Sequence, residues 1–203
     1  MNLEIKKYTA TDYVRQRWKN GNGETTELVR DNHEPYTWRL SHARISQSSP
    51  FSQFPGYQRV IVTLTHQTIW LFHEGGHRRI LPSFSPYTFS GDRETQAEIQ
   101  EPVDDFNLIF RKEWATGNIY PTYFRSSREI QLPVTGNEHF VYCVDGQIDT
   151  LDPNTGSKVQ LSKGELLRVS RQSKKEYLNI KMESLDPGTI ALWVVIHLLR
   201  ATT

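Results

Sequence analysis

"YQRVIVTLTHQTIWLFHEGGHRRILP", Tyr57–Pro82, decides the fold class. It holds three short runs rich in β-branched and aromatic residues, "YQRVIVTLT", "TIWLFHE" and "RRILP". Nothing in it recurs at the three-to-four-residue spacing of an amphipathic helix, and the glycines of "EGGH" suit a hairpin turn. Upstream, "TWRLSHARI" has the same character. Downstream come "YTFSG", "QAEIQE" and "DFNLIFRK". A second series follows: "HFVYCVDG", "QIDTLD", "GSKVQL", "ELLRVS", "EYLNIKM" and "ALWVVIHLLR". "ATDYVRQ" is expected to form no more than a short helical turn. The chain reads as all-β.

The two series resemble each other. In "LSKGELLRV", Leu161–Val169, a Gly-acidic turn feeds an apolar strand, and "LPSFSPYTF", Leu81–Phe89, occupies the equivalent place with Pro for Gly. A cupin-like double jelly roll, two β-barrels in tandem, accounts for the repeat. The expected domains are 1–115 and 116–203, with the seam inside residues 113–133. A single irregular sandwich is the alternative.

Composition excludes several functions. Over 203 residues, 24 Lys and Arg face 23 Asp and Glu, for a net charge of +1. No basic footprint for nucleic acid results. The single cysteine, Cys143, excludes an intramolecular disulfide and any multi-cysteine zinc site, and its strand setting reads as a small buried hydrophobe. No stretch has signal-peptide or membrane-spanning character, so a reducing cytoplasm is expected. Metal-binding cupins commonly place two histidines at His-x-His spacing, so that both point one way from a strand. None of the seven histidines forms such a pair, and His73 and His77 flank the exposed "EGG" turn. No metal, no cofactor and no catalytic residue is therefore nominated. G-x-S-x-G and P-loop patterns are also missing, and Cys143 has no evident His partner.

The stretch "RWKNGNGETTEL", Arg17–Leu28, carries the chemistry. Gly21 and Gly23 permit positive φ or close backbone approach, so the loop amides could turn inward on an anion or carbonyl. Asn20 and Thr25 add neutral hydrogen-bonding groups, and Trp18 an apolar anchor. A glycine-rich hairpin over a buried Trp is the plainer alternative. Arg59 follows the Pro55–Gly56 turn and opens an apolar strand; it either reaches into the barrel to fork a carboxylate or makes a rim ion pair. Arg39 is expected to support the site by pairing with Asp105. Asn107, between Phe106 and Leu108, is either an inward polar group or a core amide tied to backbone. Trp18, Trp38, Phe54 and Phe106 are expected to line the pocket, though each could be core.

"WKNGNGETTEL", "WRLSHARI", "FSQFPGYQRVIVTL" and "DFNLIFR" occur in an order and spacing that resemble the HutD/Ves family. Its motifs read W-x-N-G-G-G-x-T, W-R-x-S-x-A, F-S-x-F-P-G-x-x-R and D-F-N. The match covers most of residues 10–112; the second half fits as a cupin-like continuation. Asn22 departs from the pattern, standing for the middle glycine.

The resemblance implies a cytoplasmic bacterial bicupin without the usual metal ligands, a governor of histidine utilisation rather than a pathway enzyme. Its Ves branch is associated with stress or cold response. Combined with the residues above, it implies a sensor of a small anionic metabolite, a carboxylate or formylated intermediate. Arg59 would hold that group, with Asn20, Thr25, Asn107 and the amides at Gly21 and Gly23 in support. No nucleic-acid or membrane partner is expected, and pairing of cupin sheets would give a homodimer. The alternatives are a metal-independent isomerase or epimerase acting on a polar metabolite, and a stress-related interaction module.

Overall fold

The computed structural model describes residues 3–124, 128–133, 137–152, 155–171, 179–184 and 186–199. Among them are nineteen strands and no α-helix. The first are β1 (Leu3–Tyr8), β2 (Val14–Arg17), β3 (Gly23–Arg30), β4 (Trp38–Ile45), β5 (Ser49–Pro50) and β6 (Tyr57–Thr63). β7 (Ile69–His73), β8 (His77–Leu81), β9 (Tyr87–Ser90), β10 (Thr95–Glu98) and β11 (Val103–Arg111) follow. The remainder are β12 (Ala115–Tyr123), β13 (Arg128–Pro133), β14 (Glu138–Asp145) and β15 (Gln147–Leu151). β16 (Lys158–Ser162), β17 (Leu166–Arg171), β18 (Asn179–Ser184) and β19 (Ile190–Leu198) complete the chain. The all-β expectation holds.

Two compact units result. One is built on Tyr13–Thr116, the other on residues up to Asp12 together with Gly117–Leu198. The chain therefore divides differently from 1–115 and 116–203 at its N-terminus. β1 pairs antiparallel with β17, from Leu3 opposite Arg171 to Tyr8 opposite Leu166. Ile5 thereby packs on the second unit's core of Val141, Leu167, Val169 and Ala191. The supposed helical turn is also replaced. Residues 10–12 form a turn closed by Asp12, whose carboxylate accepts the Thr9 N–H at 2.8 Å, and Val14–Arg17 is strand. One boundary between the units falls at Thr116 and Gly117, within the expected seam of residues 113–133, a stretch that also carries β12 and β13. β12 is an edge strand, where Pro121 is tolerated because one side of the strand needs no ladder donor.

The second unit sets a sheet ordered β1-β17-β14-β19-β12 beside one ordered β13-β18-β15-β16. The first unit has a six-stranded sheet, β2-β3-β4-β11-β6-β9, and a four-stranded one, β5-β10-β7-β8. Ile45, Ile61, Phe89 and Val103 from the first of these meet Ile69, Leu71, Leu81 and Ala97 from the second. The opposite face of the six-stranded sheet is equally apolar: Trp38, Leu40, Val60, Val62, Phe106 and Leu108 are all buried. Both faces of its central strands are thus removed from water. Polar side chains on those strands need a local reason.

Candidate functional site

The reason is a cavity of about 520 Å³ in the first unit, within the range usual for small-molecule sites. Its floor is three antiparallel rungs across β4, β11 and β6. Ile109 lies opposite Arg39 and Arg59, Asn107 opposite Ser41 and Ile61, and Asp105 opposite Ala43 and Thr63. Directly paired residues share a face, and β11 alternates, so Asp105, Asn107 and Ile109 all look the same way. Strand spacing puts the Arg39 and Arg59 backbones roughly 10 Å apart across Ile109.

Arg59 is 6% exposed. Its Nη2 donates to Asn107 Oδ1 at 2.8 Å, and Asn107 Nδ2 in turn donates to Asp105 Oδ1. Asn107 therefore bridges the cation and the acid. The Arg59 guanidinium sits 4.8 Å from the Phe51 ring centre, 4.9 Å from Phe89 and 5.5 Å from Phe54, an aromatic box whose faces favour a cation. The Arg39 guanidinium also lies over Phe54, 5.3 Å from its ring centre, and its nearest acid among the described residues is Glu27 at 3.9 Å. The Nε of Arg39 and that of Arg59 are each buried without a hydrogen-bond partner among the described residues. Such groups are costly to leave unsatisfied, and an anion would satisfy them.

Burial pushes the Arg59 guanidinium down to about 10, partly offset by Asp105, so it stays charged at neutral pH. Burial also pushes the Asp105 carboxyl up, to about 7, against the opposing pull of Arg59 and the Asn107 bond. Asp105 is the only acid among the cavity-lining residues, which include Arg17, Lys19, Arg39 and Arg59. The cavity is cationic.

Two loops close the walls. The segment before β6 is held by Asp92, whose carboxylate accepts from the Gly56 N–H at 2.7 Å, the Ser90 hydroxyl at 2.7 Å and Lys112. Those donors hold the Asp92 carboxyl well below the usual range. Phe51 and Phe54 are presented from this loop. The β2–β3 turn supplies Trp18, Lys19 and Asn20, and Trp18 Nε1 donates to Thr25 Oγ1 at 2.8 Å.

The nominated residues separate cleanly. Arg59, Asn20, Thr25, Asn107, Trp18 and Phe54 line the cavity. Trp38 and Phe106 do not: alternation turns both to the other face, where they are 1% and 0% exposed. Gly21 and Gly23 do not line it either. The Gly21 N–H is spent on the Trp18 carbonyl at 3.0 Å and the Asn22 N–H on Asn20 Oδ1 at 3.0 Å, so no inward nest forms there. Gly21 takes φ +74°, whereas Gly23 is needed for close approach: a Cβ there would lie 2.5 Å from the Arg44 carbonyl oxygen. Asn22, at the family's middle glycine, is not among the positive-φ residues. Its carbonyl ties the turn to Ser46 N–H at 2.8 Å. Arg39 proves to line the cavity and does not pair with Asp105. Asp105, Ser41 and Phe51 were not nominated; alternation from Asn107 was the available signal for Asp105.

Among the described residues, no group of three or more His, Cys, Asp or Glu is placed to hold a metal ion, and no helix is long and apolar enough to cross a membrane.

Paired antiparallel sheets, with a cationic cavity in one unit, define a cupin-like protein. The fold is shared with a cupin 2 conserved barrel protein from Leptotrichia buccalis, at a TM-score of 0.55 and 9% identity over 85% of this chain and 88% of that one. Within that class, the chain belongs to the HutD family, whose model matches residues 10–190. It is similar to HutD from Pseudomonas fluorescens SBW25, solved in a formate condition, with 30% identity, a TM-score of 0.80, and coverage of 98% of this chain and 100% of that one. It is 33% identical to an uncharacterized 21.2 kDa protein in the hutC 3′ region of Pseudomonas putida, over 66% of this chain and 80% of the relative. Protein Ves of Escherichia fergusonii is 34% identical over 46% of this chain, and that match spans about half of Ves, 51%. The family's link is to the histidine-utilisation region.

Proposed function

We propose that this HutD-family protein binds a small carboxylate or formylated metabolite and acts as a regulator of histidine utilisation. The observation that carries the reading is the pair of unpartnered guanidinium Nε atoms, on Arg39 and Arg59, in the wall of one cavity. A carboxylate or formyl oxygen would complete their hydrogen bonds, while Asn107, Thr25 and Asn20 would orient its neutral part. The relative's position in the hutC 3′ region and the formate condition of the P. fluorescens structure both agree with an anionic, histidine-derived ligand.

Calorimetry with formate, urocanate, formiminoglutamate and formylglutamate tests this. At least one should bind, with a stoichiometry of one per chain. Binding of none of them would end the proposal.

A metal-independent isomerase or epimerase is the second reading, favoured by the cavity acid Asp105, which titrates near neutrality as a general base must. Incubation of the four compounds in D₂O, followed by NMR for deuterium incorporation and by chiral chromatography, separates the two. A binding protein returns them unchanged.

A further inference from the structure

We propose that anion binding in this cavity is coupled to protonation of Asp105, so that the complex contains Asp105 as a neutral carboxylic acid that donates a hydrogen bond to the ligand. The inference rests on the anion-binding reading above and adds the protonation state on which it depends.

The argument starts from geometry. Asp105 is 1% exposed, lies in the cavity wall and makes no ion pair within 4.0 Å among the described residues. Its link to Arg59 runs through Asn107, which uses Oδ1. Oδ2 receives no donor among the described residues, so a proton carried there can be given to a ligand. The groups facing this carboxyl can be taken element by element. β6 supplies Arg59; β4 supplies Arg39, with neutral Ser41 and Ala43; β3 supplies Thr25 and, beside Arg39, Glu27. β2 adds Arg17 and the turn before β3 adds Lys19, while Asp104 lies on the opposite face beside His42.

An anion arriving at Arg59 competes with the Asp105 carboxylate for the same positive field, and two anions cannot share so dry a site at low cost. Taking one proton from solvent removes the conflict and turns Asp105 from a repelling acceptor into a donor. Burial already holds this carboxyl near the tipping point, at about 7, so the coupling falls in the physiological range. The consequence is a binding site that strengthens as the cell acidifies.

Linkage sets the sign and size. Where free Asp105 is ionised and bound Asp105 is protonated, affinity falls about ten-fold per pH unit, and one proton is taken up per anion bound. Formate is a suitable probe because it remains ionised throughout this range. The experiment is a formate titration at pH 6, 7 and 8 at constant ionic strength, with calorimetry in bis-tris and in Tris, buffers that are not themselves competing anions, to count protons. It is repeated with Asp105→Asn, and the ¹³C carboxyl shift of Asp105 is followed in the parent with and without formate.

Affinity that drops toward ten-fold between pH 7 and 8, proton uptake, and a flat profile in Asp105→Asn are expected. Formate should also move the Asp105 titration upward. If formate binds equally at the three pH values with no proton uptake, or Asp105→Asn keeps the parental slope, the coupling is refuted while anion binding stands. If formate does not bind even at pH 6, the same titration is run with whichever of the other three acids binds. Binding of none of the four would remove the anion site itself, and the coupling with it. Should Asp105→Asn not fold, the ¹³C titration of the parent decides alone.

Discussion

Replacing Arg59 by Ala should damage binding far more than folding. The side chain donates one hydrogen bond, to Asn107 at 2.8 Å, and its Nε has no partner among the described residues. Losing the Asn107 bond costs about 1 kcal/mol, and losing contact with the rings of Phe51 and Phe89 adds a similar amount. Against this, the variant no longer desolvates a guanidinium, and Asp105 is free to become neutral. The net change in stability is expected to stay within about 2 kcal/mol in a urea titration. Binding has no such offset. A charge-assisted bond to a carboxylate contributes roughly 1.5–3 kcal/mol, so affinity should fall about ten-fold to a hundred-fold. Arg59→Lys should recover little, because one ammonium cannot hold Asn107 and fork an anion together. Calorimetry on the parent and both variants reads these numbers directly. Parental affinity in Arg59→Ala for every carboxylate that the parent binds would refute the reasoning.

Gly23→Ala should destabilise by about 1–3 kcal/mol, because its Cβ would overlap the Arg44 carbonyl oxygen. Gly21→Ala meets open space and should cost only its strained φ, about 1–2 kcal/mol; denaturant midpoints for the pair test the two mechanisms. In the second unit, Glu138 accepts two bonds from Arg168, both at 2.8 Å, and one from Ser170 at 2.9 Å. Glu138→Gln should therefore cost on the order of 1–3 kcal/mol, the part-exposed arginine limiting the loss, without changing formate affinity. Without a cluster of ligands among the described residues, the purified protein should carry well under one transition metal per chain by elemental analysis. Asp105 also predicts a stability profile opposite to that of a paired carboxylate. Its folded titration lies above the unfolded value, so its favourable contribution is complete below about pH 4 and is lost as pH rises through about 7. Asp105→Asn should flatten that part of the ligand-free curve, and an unchanged profile would show that the carboxyl is not buried as described.

Much of this architecture was legible because strand sequences alternate or run apolar, and most of the strands stand where those runs stand. The exceptions have particular causes. β3 begins on Gly23, and its pairing shifts between Glu27 and Val29, which breaks the alternation that would have announced it. β12 carries Gly117 and Pro121, tolerable at a sheet edge but turn-like in one dimension.

The site was half legible for a related reason. When one sheet face is wet, aromatic residues mark the inside; Trp38 and Phe106, which in sequence read either as pocket lining or as core, are core. Here both faces are buried, and the aromatic side of β4 and β11 faces away from the cavity. The polar side, Arg39, Ser41, Asp105 and Asn107, is the one that faces it. Nothing within a single strand distinguishes these cases. The distinction comes from register, which brings Arg39 and Arg59 to the same rung although twenty residues separate them in the chain. Once that rung is known, Asp105, four positions before Ile109 on β11, ceases to read as a mere ion-pair partner of Arg39. It becomes the group whose charge decides whether an anion can enter.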